Sequence, residues 1–157
     1  MKKIRQASNS HLETALKKKE FVLSLEIDPP RGAEIQKEIA TAGNFKSLGG
    51  DCVNVSDNPM ARLRMSPIPL AHIIKNLVGI DVILHCTCRD RNLLALQSDL
   101  IGVHALGIRN ILALTGDPPN VGDYPFATAV FEITSKELTE IINSLNRGLD
   151  WLGWAIP

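Results

Sequence analysis

Short apolar runs alternate with amphipathic stretches along this chain. Phe21 to Ile27, Cys52 to Ser56, Asp81 to Thr87 and Ile108 to Leu114 are rich in Val, Ile and Leu and are bounded by Gly, Pro or Asp. Such runs are what strands buried between two layers look like. Between them the apolar positions recur at helical spacing. Glu34 to Leu48 puts Ile35, Ile39, Ala42 and Phe45 near one face and is stopped by Gly49 and Gly50. Pro67 to Val78 is a second helix, and Leu93 to Leu106 is a third, with Leu93, Leu96, Leu100 and Val103 on one side and Gly107 closing it. Ser135 to Leu145 is a fourth. Ser10 with Glu13 reads as a capping box opening a further short helix that runs to about Lys19. Strands alternating with helices predict an α/β fold with a parallel sheet and right-handed crossovers.

Composition narrows the class. With 157 residues, 45% hydrophobic and 22% charged, the chain is an ordinary soluble globular composition, long enough for one core. Lys+Arg 17 balance Asp+Glu 17, so no net charge draws nucleic acid or an acidic membrane surface. The only basic run, Lys17 to Lys19, reads as a solvated helix end. No apolar stretch approaches the ~20 residues of a membrane span, and the basic N-terminus lacks the apolar core of a signal peptide, so a cytoplasmic chain is expected. Cys52, Cys86 and Cys88 are too few, and odd in number, for a disulfide framework. Cys86 and Cys88 fall on one strand face, opposite to His85 and Thr87. With no second Cys/His pair at zinc-ligand spacing, packed thiols are the favoured reading over a metal or redox role, and no metal is expected.

The polar clusters lie where the apolar runs break. His85 to Asn92 follows one predicted strand and Thr115 to Pro119 another, placing both at C-terminal strand ends, where α/β proteins build their chemistry. Counting by two groups Ser24 with Glu26, Asn54 with Ser56, Ile83 with His85 and Thr87, and Ala113 with Thr115 and Asp117. The other faces carry Leu23, Leu25, Val53, Val55, Val82, Leu84, Leu112 and Leu114, suited to packing under helices. Each polar residue alone has a plain structural reading: a cap or ion pair for Glu26, a satisfied core imidazole for His85, turn chemistry for Asp117. A carboxylate in an apolar strand is nonetheless expensive to bury unpaired, and three such residues converging at one end point to a site.

Leu25 to Arg31, Val53 to Ser56, His85 to Asn92, Leu106 to Pro119 and Gly122 to Pro125 together resemble methylenetetrahydrofolate reductase, most closely the branch often fused behind a homocysteine S-methyltransferase domain. The resemblance runs from about Phe21 to Gly153. It implies a TIM-type (β/α)8 barrel of which about four units are present, a half barrel forming a single partial domain over residues 1–157, with 1–20 as a helical extension. It also implies an FAD-dependent reduction of 5,10-methylenetetrahydrofolate to 5-methyltetrahydrofolate with NADH or NADPH. Under the resemblance Glu26 is the general acid that protonates folate N10, a task suited to a partly buried carboxylic acid, and Asp117 sets the charge near the flavin. Ser56, His85, Thr115, Gly116, Phe126 and Ala127 are the implied cofactor-binding residues, together with Asp117. Ser56 stands where relatives often have Thr, and Thr115 where one branch has Arg, which removes a fixed cation.

A closed barrel takes roughly 250 residues, and the ending Trp154 to Pro157 reads as a truncation or a change of frame. A four-stranded half barrel leaves edges and an inner face unpaired, so a homo-oligomer or a complementing half-barrel partner is expected, with folate as substrate. The alternative reading is a non-catalytic half barrel, an assembly module or a remnant of the enzyme.

Overall fold

The computed structural model describes residues 10–18 and 21–157; residues 1–9, 19 and 20, parts of the expected N-terminal extension, lie outside the described residues. Four strands, β1 (Ser24–Ile27), β2 (Cys52–Val55), β3 (Asp81–Thr87) and β4 (Asn110–Leu114), form one sheet in the order β1-β2-β3-β4, with every neighbouring pair parallel. The connections carry α2 (Gln36–Ser47), α3 (Pro67–Val78) and α4 (Leu93–Ala105), and α5 (Ser135–Asn146) follows β4. Strictly sequential order with right-handed crossovers puts all the helices on one side of the sheet, which is the wall of a TIM-type barrel rather than a doubly wound sheet. α3 and β3 occupy their predicted spans. β1 and β4 are shorter than predicted at their N-terminal ends, because only the residues facing a partner strand enter the ladder.

The register corrects one expectation. β3 pairs with β4 as His85↔Leu112, Cys86↔Ala113 and Thr87↔Leu114. In a parallel sheet paired residues share a face, so Leu112 and Leu114 lie beside His85 and Thr87, and Ala113 faces the helices, the reverse of the predicted phase for β4. Ala113 and Ile111 accordingly pack against buried residues of α4 and α5. Leu112 stays 40% exposed on the inner side of the sheet.

Two apolar clusters hold the layers together. Ile27, Val53, Val55, Val82 and Leu84 of the sheet bury Ala42 of α2 and Leu70, Ala71 and Ile74 of α3. Cys86 and Cys88 pack with Leu96 and Leu100 of α4 and Leu138 and Ile141 of α5. All three cysteines are free and buried.

α1 (His11–Lys18) closes the opposite end of the sheet from the candidate site. Leu12 N–H donates to Asp81 at the start of β3 (3.1 Å), and the Ser10 hydroxyl donates to Asn110 at the start of β4 (2.8 Å). The Ser10 oxygen also accepts the Glu13 N–H (3.0 Å), so the cap half of the predicted box forms.

Candidate functional site

The β2–β3 ladder ends at Val55↔Leu84. Ser56, Asp57 and His85 come next, where the strands part, and all three are buried. The Ser56 hydroxyl donates to Asp28 just beyond β1 (2.6 Å). His85 Nε2 is buried without a hydrogen-bond partner. Burial holds the imidazole below its ordinary pKa, opposed by the negative charges of Glu26, Asp57 and Asp28. The inner side of the strand ends therefore presents a neutral imidazole with a spare polar atom.

Asp57 is the hub of the gap. Its Oδ2 accepts from the Thr87 N–H (2.9 Å), the Thr87 hydroxyl (2.9 Å) and Arg91 Nη1 (2.7 Å), and Oδ1 accepts from Arg91 Nη2 (3.3 Å). Arg91 Nε also faces Asp99 of α4 at 3.0 Å. These carboxylates hold the Arg91 guanidinium protonated, its pKa raised by Asp57 and Asp99 against the opposing cost of burial. A second guanidinium, Arg89, is almost wholly buried. It forks onto the Asp90 carboxylate (2.9 and 2.8 Å) and donates to the carbonyls of Asn58 (3.2 Å) and Asp117 (3.3 Å). One buried cation thus ties the loop after β2 to the loop after β4.

Those two loops touch closely. Gly116 has φ +95, and a Cβ there would sit 3.1 Å from Cβ of both Thr87 and Arg89. Asp117 is exposed, and its Oδ2 accepts the Met60 N–H (2.8 Å). Asn58, Met60 and Ala61 all adopt positive φ, a strained run that these contacts hold in place. At Gly122 a Cβ would fall 2.0 Å from the Ala61 carbonyl oxygen, so only glycine allows this approach. Asp123 adds an ion pair with Arg31 from the loop after β1 (3.0 Å) and accepts the Leu63 N–H (2.9 Å).

Glu26 lies in the same paired row as Asn54 and Ile83. Its side chain is exposed, where the sequence predicted a partly buried acid, because it stands on β1, an edge strand of the sheet with a partner on one side only. It borders an open groove of about 350 Å3 shared with Asp28, Lys37, Glu38 and Thr41. Ser56, His85 and Glu26 therefore gather at the strand ends, with Gly116 and Asp117 brought in by the β4 loop. Thr115 turns the other way, its hydroxyl donating to Ser135 at the start of α5 (3.3 Å). Phe126 and Ala127 sit exposed farther along the loop, Phe126 in edge contact with Tyr124. Sequence reasoning missed Asp57, Arg89, Arg91 and Asp28. The arginines stood inside a motif already singled out, and the only signal was that so many charges follow an apolar strand.

Among the described residues no group of three or more His, Cys, Asp or Glu could hold a metal ion, and no helix is long and apolar enough to cross a membrane. Fold and site together define a partial (β/α) barrel with a polar, hydrogen-bonding cluster at the C-terminal mouth of its strands. A family model described as methylenetetrahydrofolate reductase matches residues 11–152, nearly the whole chain, and the chain belongs to that family. A probable methylenetetrahydrofolate reductase (NADH) from Oryza sativa subsp. japonica is 32% identical over 114 residues. That alignment covers 65% of this chain and 17% of the relative, so the chain spans only a small part of the relative it matches.

Proposed function

We propose that this chain carries the strand-end half of an FAD-dependent site that reduces 5,10-methylenetetrahydrofolate to 5-methyltetrahydrofolate with NADH or NADPH, in the one-carbon and methionine metabolism of the cytoplasm. The observation that carries this reading is the buried, partnerless Nε2 of His85, within electrostatic range of Glu26, in a chain of this family. The residues fit the cofactor: the buried, orphaned Nε2 of His85 awaits a polar partner at the strand ends. FAD, when bound, supplies the relay of hydride between nicotinamide and folate. Ser56, His85 and Gly116 would hold it, with Phe126 and Ala127 flanking the loop; the Thr115 side chain, turned toward Ser135, would not. Glu26 delivers a proton to folate N10, opening the five-membered ring. Asp117 contributes a negative charge that favours the resulting cationic folate.

The exposed Ser24, Glu26 and Leu112 on the inner face support a further element of the proposal. The site is completed by association, either with a second copy or with a partner bearing the remaining strands. That same exposure of Glu26 favours a second reading, a non-catalytic half barrel that serves as an assembly module.

The deciding measurement is the visible spectrum of the purified chain after incubation with FAD and gel filtration. A retained flavin band in a dimer-sized or larger peak supports the reductase reading; a colourless product supports the assembly module. In any assembly that turns over, Glu26→Gln should abolish folate reduction and leave flavin reduction by NAD(P)H nearly intact, since only the folate step needs the proton. Equal loss of both steps would refute the role given to Glu26.

A further inference from the structure

We propose that Asp57, with Arg91 as its counter-ion, is a positioning residue: its carboxylate spans the gap where β2 and β3 part and fixes the place and charge surroundings of the His85 imidazole. The inference deepens the proposed function and rests on His85 being the group that meets the cofactor.

The geometry is that of a side chain standing in for a missing stretch of sheet. Backbone pairing between β2 and β3 stops at Val55↔Leu84. Two residues farther on, Asp57 accepts the Thr87 backbone N–H that a continued β2 would have faced, and takes the Thr87 hydroxyl as well. Thr87 is two residues beyond His85 on the same face, so anchoring Thr87 fixes the strand segment from which the imidazole projects. The Asp57 side chain is 1% exposed. A buried carboxylate with no cation would be costly, and Arg91 removes that cost through two hydrogen bonds.

The charge matters as well as the bonds. The charged groups acting on His85 are Glu26 and Asp28 from the β1 end and Asp57 from the β2 end. Toward the helices, a void of about 10 Å3 beside His85 is lined by the apolar Pro67 and Ile68 of α3 and, before and on α4, by Arg91 and Asp99. Asp57 is the acid nearest to being fixed: it is wholly buried and fully bonded, whereas Glu26 and Asp28 are exposed. Arg91 screens it, so removing the acid and removing its counter-ion should move His85 in opposite directions. A residue that only stabilised the fold would not produce two shifts of opposite sign.

The test is an NMR titration of the imidazole of His85 in the full chain without flavin, its signal assigned by its absence in His85→Gln. Asp57→Asn keeps an acceptor for Thr87 and loses the charge, so the His85 midpoint should move to lower pH. Arg91→Met leaves the Asp57 charge unscreened, so the midpoint should move to higher pH. An unchanged midpoint in a folded variant, or a shift of the same sign in both, overturns the proposal; should one variant fail to fold, the sign in the other decides. FAD affinity, measured separately by flavin fluorescence, should weaken about tenfold in Asp57→Asn, the scale of one charge-assisted contact. A wild-type chain that binds no FAD would count against the proposed function alone, because the titration is read without the cofactor.

Discussion

Gly116→Ala tests whether the β4 loop is packed against the strand ends as tightly as the site requires. Two costs combine at this position. The backbone sits at φ +95, where a Cβ meets its own chain, worth about 1–2 kcal/mol. The added Cβ would also stand 3.1 Å from Cβ of Thr87 and of Arg89. Neither neighbour is the free end of a flexible chain: Thr87 is bonded at both N–H and hydroxyl, and Arg89 is pinned by its fork. Crowding of that kind adds about 1–2 kcal/mol, for a total of about 2–4 kcal/mol. Gly49 supplies the control, since it has φ +90 with nothing within 4 Å of an added Cβ, so Gly49→Ala carries only the backbone cost. In urea unfolding, with a slope of about 2 kcal/mol/M, the midpoint should fall by about 1–2 M for Gly116→Ala and about 0.5–1 M for Gly49→Ala. Equal shifts in the two variants would refute the close packing of the Gly116 loop on Thr87 and Arg89.

Three further outcomes follow from the geometry. Because burial depresses the His85 pKa, the unfolded chain binds a proton that the folded chain resists, so the contribution of this group to stability falls as pH drops through the unfolded value near 6.5. The urea midpoint should therefore decline less between pH 7.5 and 5.5 in His85→Gln than in the wild type. Burial pushes the Cys86 thiol up to about 12, and Cys52 and Cys88 are raised by burial as well, so all three should resist Ellman's reagent in the native chain and react fully in denaturant. Thr134 caps α5 in a complete capping box with Glu137, and Thr134→Ala should cost about 1 kcal/mol by urea unfolding, with Ser in its place restoring most of the loss.

The alternation of strands and helices was legible because buried parallel strands and one-sided helices leave different periodicities in the same chain. α3 and β3 emerge with their expected ends since Pro67, Gly79 and the break after Thr87 punctuate them locally. The convergence of Glu26, Ser56 and His85 was legible for the same reason: each lies near the C-terminal end of a strand, and parallel strands align those ends. The phase of β4 was not. Ile111, Leu112, Ala113 and Leu114 are all apolar, so nothing local says which of them face inward, and only the pairing His85↔Leu112 decides it. Asp57 and Arg91 were equally hidden, being 34 residues apart and joined only where two strands diverge. The burial of Glu26 was also decided by tertiary structure, since a carboxylate in an apolar strand is covered only if something packs on the inner face. Sequence periodicity records which way a segment turns its side chains relative to itself. Register, the splay of strand ends and the cover on a sheet are relations between segments, and only the folded chain sets them.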